Sequence, residues 1–230
     1  MNVDIIASGS SGNCALIDGT ITIDVGIKPT FEVMESAVAL ISHEHSDHIK
    51  GLDSVAGLPI FTVVEVAERL RIKFPYVEFS LLPYDIFTEL PIHGAHWFVK
   101  PIRLKHDAPC VGWDIKHEGE RILFATDFNE IVDDVCLTDY DALYLECNNT
   151  LDYTDMIDAF IGDQTPRDEF HRRKSFQNHC NVSYLQSLIE RDNARDVPLT
   201  LLHKSSYYYA KHPEKIVELC KVAHVINPNY

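Results

Sequence analysis

Apolar residues in the first third of the chain come in short runs, each closed by Gly, Ser or Asp. Residues 3–7 (VDIIA), 14–18 (CALID) and 21–26 (ITIDVG) therefore read as short strands, and residues 38–42 (VALIS) as a buried one. Residues 48–57 (HIKGLDSVAG) predict the start of a short helix. Residues 63–74 (VVEVAERLRIKF) set Val63, Val66 and Leu70 at helical spacing with charges between them, which predicts a longer one. Between 97 and 147 the pattern returns to strands, in WFVKPIRLK, CVGWDIKHEG, RILFATD and ALYLEC, with a hairpin turn at HEGE (117–120). Residues 181–194 (NVSYLQSLIERDNA) predict a helix capped by Asn181 or Ser183. A strand at 198–203 (PLTLLH) follows, then a final helix at 213–224 with Pro213 at its start.

Strands gathered in two batches, each followed by helices, predict two sheets with helices packed outside, rather than one doubly wound parallel sheet. At 230 residues the chain is expected to form one domain spanning 1–230. Residues 150–178 are charged and poorly periodic, and read as an inserted loop with a helix in its second half.

Composition narrows the function classes. A net charge of −15 argues against a generic polyanion binder, which needs clustered Lys and Arg. An enzyme that meets phosphate through bound cations stays open, because such ions reverse the local field. The start of the sequence shows no secretory signal, and no run reaches the roughly 20 apolar residues of a spanning helix. Six scattered cysteines without a CxxC pair fit reduced thiols and a cytoplasmic location, with Cys110, Cys136, Cys147 and Cys180 used in packing.

The densest chemistry is in SHEHSDHIKGL (42–52), directly after the buried strand. On a strand, His43 and His45 point to the same side. A turn after Ser46 lets Asp47 and His48 face the same pocket from a helix start. Imidazoles with a carboxylate are a ligand set for Zn²⁺ or a similar metal.

This segment resembles the signature of metallo-β-lactamase-fold hydrolases, and the likeness continues through LKHDAPCVGW, LFATDF and LTLLHKSS in family order. ASGSSGNC, ITIDVG and NHCNVSYLQ also resemble the nuclease-like branch typified by YycJ (WalJ) proteins and tRNA-processing RNase Z. The resemblance implies an α/β, αββα sandwich: two mixed sheets with helices on the outer faces. It also implies two divalent ions, zinc first and manganese second. His43, His45 and His106 would hold one ion and Asp47, His48 and His203 the other, with Asp127 bridging. Two such cations about 3.5–4 Å apart can share an activated hydroxide and clamp the attacking and leaving oxygens of a phosphodiester.

Asp24, preferred over Glu44, and Glu146 with Asn148 are the expected hydrogen-bond partners of the ligands. The resemblance makes His179 a contact to the scissile phosphate or a proton donor, beside Asp47 and Asp127 as catalytic groups. Arg172 and Arg173, in the only strong basic run, and Ser205 are expected to contact substrate. Tyr207, Tyr208 and Tyr209 offer base stacking or a subunit contact, with at least one used in the core.

The leading expectation is a dinuclear metal phosphodiesterase. It would be either a cyclic-nucleotide enzyme, as some phage-encoded relatives of this fold are, or a YycJ-like nuclease. Hydrolysis of a lactone or thioester on the same centre, and a non-enzymatic scaffold, are the alternatives. A homodimer contacting through 150–178 is expected by analogy with the fold.

Overall fold

The computed structural model describes residues 1–150 and 174–227. They fall into two compact units: Met1–Arg103 with Ala108–Arg121, and Leu104–Asp107 with the described residues from Ile122 onward. The described strands form two sheets, of six and eight strands.

The first unit opens with β1 (Val3–Ala7), β2 (Cys14–Ile17) and β3 (Ile21–Ile23), an antiparallel meander. A short helix, α1 (Phe31–Met34), leads into β4 (Val38–Leu40), which lies parallel to β3 with Ile23 opposite Leu40. Then come α2 (Ser46–Ile49), a 3₁₀ turn at Leu52–Val55, β5 (Ile60–Thr62), α3 (Val64–Lys73) and β6 (Phe79–Leu81). β5 and β6 extend the sheet in parallel. Ile17, Ile21, Ile23 and Leu40 are fully buried, and α3 turns Val66, Ala67 and Leu70 inward. β7 (Thr88–Glu89) pairs antiparallel with β8 (Trp97–Lys105), and β9 (Cys110–His117) follows. The HEGE turn is a two-residue hairpin with Glu118 and Gly119 both left-handed, at φ 49° and 85°.

In the second unit, β10 (Glu120–Ala125, from Ile122 on), β12 (Ala142–Glu146), β13 (Pro198–Leu202) and β14 (His224–Val225) are parallel neighbours. The short β11 (Glu130–Ile131) pairs with the end of β8, Ile131 opposite Leu104. Residues 174–178 are helical, and three helices follow: α4 (Val182–Asp192), α5 (Ser206–Lys211) and α6 (Pro213–Val222). α4 is capped by Asn181, not Ser183: the Asn181 side chain accepts from the Tyr184 N–H at 2.8 Å. Its far end closes on a left-handed Asn193, and Pro213 opens α6.

The local pattern missed α1, β5, β6, β7, β11, α5 and β14. These elements are two to six residues long, too short to show a period. The helix expected over 48–57 starts earlier, at Ser46, and breaks at Gly51. There a Cβ would sit 2.1 Å from the Ile27 carbonyl, so the close approach of the loop after β3 sets the boundary. Of the four cysteines assigned to packing, Cys110, Cys147 and Cys180 are buried; Cys136 is exposed, a correction, because it lies in the loop before a surface 3₁₀ turn. Tyr208 and Tyr209 are core residues. Among the described residues, no helix is long and apolar enough to cross a membrane. Most of the charged insertion, residues 151–173, lies outside the described residues.

Candidate metal centre

Parallel strands align their carboxyl ends, and in both units the chemistry gathers there. In the first unit Asp24 follows β3, and Ser42, His43 and His45 follow β4. Asp24 is fully buried in the left-handed region at φ 55°, a conformation tolerated by Asp but costly for most side chains. Its Oδ1 accepts the Ser42 N–H at 2.8 Å, and its Oδ2 accepts the Ser42 hydroxyl and His48 Nδ1–H, both at 2.7 Å. A hydroxyl has one proton to give. Ser42 Oγ must therefore accept from His43 Nδ1, 3.0 Å away, and both imidazoles keep their lone pair on Nε2. One buried carboxylate thus fixes two tautomers. The chain has left the strand by His43, yet the His43 ring stays 4.6 Å from that of His45 and 4.1 Å from that of His48. Asp47, on the first turn of α2, has its Oδ2 3.7 Å from His48 Nε2. Glu44 is drawn into an ion pair with Lys73, at 3.1 Å.

In the second unit Asp127, Glu146 and His203 stand at the ends of adjacent strands β10, β12 and β13, and His179 comes from the loop before α4. One ligand atom from each of the four lies within 4.8 Å of the others. Glu146 is fully buried. Its Oε2 accepts the Phe128 N–H at 2.7 Å, and its Oε1 accepts from Nδ1 of His179 at 2.6 Å and of His203 at 3.0 Å. His203 thus meets Glu146 through Nδ1 and has its Nε2 3.9 Å from Asp127 Oδ1, while His179 has its Nδ1 3.6 Å from the same oxygen. Asn148 also donates to the His203 carbonyl, at 3.0 Å. Asp127 and His203 are left-handed, at φ 58° and 47°, strain of the kind held at functional positions. His106 donates Nδ1–H to the Asn178 carbonyl at 3.0 Å, and its ring centre is 5.3 Å from that of His179.

Electrostatics follow from this packing. Burial pulls the His179 pKa down, but the charge and hydrogen bond of Glu146, with Asp127, outweigh it and raise the value to about 9. His203 is raised likewise, burial being overcome by Asp127 and Glu146. Burial would lift the Glu146 carboxyl, yet the two imidazoles hold it below its usual range. His106 is lowered, chiefly by burial. The donor chemistry fits divalent cations: each cluster joins buried imidazoles to carboxylates, and a carboxylate fixes Nδ1 of His48 and of His203.

Residues 27–169, more than half of the sequence, match the family model for the beta-lactamase superfamily domain. The chain belongs to this superfamily. Its two mixed sheets with helices are the α+β metallo-β-lactamase fold. The metallo-β-lactamase-fold protein YhfI from Bacillus subtilis superposes with a TM-score of 0.66 at 16% identity, covering 98% of this chain and 94% of that one. Human tRNase Z, short form, gives 0.61 at 16% identity, with 90% and 94% covered. A diphosphatase of the PhnP family gives 0.57 at 17% identity, with 88% and 85% covered. No curated protein matches the sequence.

Within this superfamily member the sequence-derived residues fall into two groups. His43, His45, Asp47 and His48 meet beside Asp24 in the first unit; His106, Asp127, His179 and His203 meet beside Glu146 in the second. Ser205 precedes α5, and its backbone N–H donates to the Asn148 carbonyl at 3.0 Å. Arg172 and Arg173 lie outside the described residues. Sequence reasoning passed over Ser42, which relays Asp24 to His43, and Asn13, whose side chain reaches His48 and Asp47. Ser42 had no signal beyond its place beside the motif. Asn13 closes the SGSSGN loop, which the family likeness had drawn attention to.

Proposed function

We propose that this chain is a dinuclear metal-dependent phosphodiester hydrolase acting on nucleotides or nucleic acid. In this reading His43, His45 and His106 hold one cation, Asp47, His48 and His203 the other, and Asp127 serves both. Zinc is the first choice and manganese the second, since His and Asp donors accept either. Bound divalent cations supply a water-derived nucleophile at neutral pH and neutralise charge on a phosphoryl oxygen.

The observation that carries the phosphate reading is His179. It keeps its proton at neutral pH, Glu146 holds its Nδ1 at 2.6 Å with Asp127 Oδ1 3.6 Å from the same nitrogen, and its ring stacks on that of His203 with centroids 5.0 Å apart. That is the geometry of an acid able to protonate a leaving alkoxide or bond a phosphoryl oxygen. The names of two fold neighbours, a tRNase Z and a diphosphatase, accord with phosphate chemistry. Likeness to the YycJ and RNase Z branch favours a nuclease; the net charge of −15 favours a small substrate such as a cyclic nucleotide.

The deciding experiment sets bis-p-nitrophenyl phosphate against a lactone panel, with the protein stripped by chelator and then reloaded with Zn²⁺ or Mn²⁺. Phosphodiester turnover that vanishes on stripping and returns on loading is the expected result. Turnover of lactones alone would overturn the proposal. His179→Ala should cut turnover by about 10²–10⁴-fold while leaving metal content near that of the unaltered protein; equal loss of both would make His179 a ligand instead.

A further inference from the structure

The SGSSGN loop between β1 and β2 does more than turn the chain. Asn13 is 4% exposed, and hydrogen bonds fix the orientation of its amide: Oδ1 accepts the Gly9 N–H at 2.8 Å, and Nδ2 faces the Gly9 carbonyl at 3.1 Å. With the oxygen committed to an N–H donor, the nitrogen has to be the group pointing at α2. It lies 2.8 Å from His48 Nε2 and 3.2 Å from Asp47 Oδ2. Because His48 gives its only ring proton from Nδ1 to Asp24, Nε2 is a lone pair, and Asn13 donates to it. The loop is seated for this by backbone bonds, from Asn13 N–H to the Asp47 carbonyl at 2.7 Å and from Gly26 N–H to the Asn13 carbonyl at 2.8 Å.

We infer that Asn13 is a positioning residue for the metal centre, one that caps the His48 lone pair in the metal-free chain and steadies the Asp47 carboxylate when a cation takes that lone pair. The inference rests on the metal-dependent reading above. Nδ2 has two protons and several acceptors around it, two of them on expected ligands. A cation on that lone pair would have to displace the amide nitrogen, 2.8 Å from Nε2, and Asp47 Oδ2, 3.2 Å from that nitrogen, is the acceptor the amide can turn to. Asp47 would then keep its Oδ2 anchored by the protein while its carboxylate served the ion.

The test uses the full chain with Zn²⁺ as the probe. Asn13→Ala is expected to weaken binding of the second equivalent of Zn²⁺ by about tenfold, the lower end of what loss of a ligand's supporting partner costs. In the metal-free protein the ¹⁵N resonance of His48 Nε2 should move towards that of an imine nitrogen without a donor. Should Asn13→Ala fail to fold, Asn13→Ser replaces it, since a hydroxyl can still bond Gly9 but is too short to reach His48. Unchanged Zn²⁺ affinity and an unmoved His48 resonance, beside a lowered melting temperature, would show that Asn13 only braces the loop, and would overturn the inference while leaving the metal reading intact. Failure of the unaltered protein to bind Zn²⁺ at all would instead remove the metal reading, and this inference with it.

Discussion

At Asp24 a single carboxylate accepts three hydrogen bonds in a buried place and so decides which nitrogen two histidines present. Asp24→Asn keeps the size but must donate where the aspartate only accepts, so it sets His48 against its partner. Zn²⁺ affinity should fall about 10–100-fold, as metal content by atomic emission would register. Glu146 has the same task in the second unit, and there the charge can be followed by pH. The folded pKa of His179, about 9, lies above its ordinary 6.5. A group raised in this way contributes stability that is complete below about pH 6.5 and is lost as pH rises through about 9. Thermal melts of the metal-free protein should therefore decline across that window. Glu146→Gln should flatten the decline and let His179 titrate lower in an NMR experiment. A pH-independent melt in the unaltered protein would contradict the pairing.

Among the elements, the turns after β3 and before the Leu52–Val55 turn have little room to vary. A Cβ on Gly26 would meet the Asp47 carbonyl at 1.6 Å, whereas one on Gly57 would meet nothing within 4 Å. Gly26→Ala forces the strand end away from α2 and should destabilise by about 1–3 kcal/mol or more, with loss of metal binding. Gly57→Ala should leave stability within about 0.5 kcal/mol or raise it slightly. Paired denaturation curves would separate the two. The helices obey simpler rules: Asn181→Ala removes the cap of α4 and should cost about 1 kcal/mol.

Elements of this size also show where sequence reading succeeds. α4 was legible because Val182, Leu185, Leu188 and Ile189 repeat on one face between a capping Asn181 and a left-handed Asn193. β5 was not: Ile60–Thr62 is three residues long and carries no period, and its status as a strand comes from Ile60 facing Ala39 and Phe79. The same split runs through the centre. The histidines of SHEHSDH announce a metal by type and spacing alone. The choice of Asp24 over Glu44 as partner follows the family pattern, and the structure shows the cause: Glu44 turns to Lys73, while Asp24 stays under the imidazoles.

Over the whole molecule, the charge of −15 sets the long-range field that any anionic substrate meets before it reaches a cation. At low ionic strength a small phosphodiester should be turned over with a higher kcat/KM than a long oligonucleotide. The gap should narrow as salt rises towards about 0.15 M, where the Debye length shrinks to about 8 Å. A rate on oligonucleotides that only falls with added salt would point to a dedicated cationic track instead.

His106, Asp127 and His203 came from the likeness to the family, whereas the sequence by itself determined the candidate ligands of SHEHSDH and the succession of strands and helices long enough to repeat. These are local properties, written in spacing, capping and polarity over a few residues. Only the tertiary structure decided which proton each imidazole keeps, that Ser42 and Asn13 belong to the centre, and that Glu146 serves two histidines 33 and 57 residues away. Those depend on hydrogen bonds a few ångströms long between distant parts of the chain. No local pattern encodes such contacts until parallel strands bring their ends together.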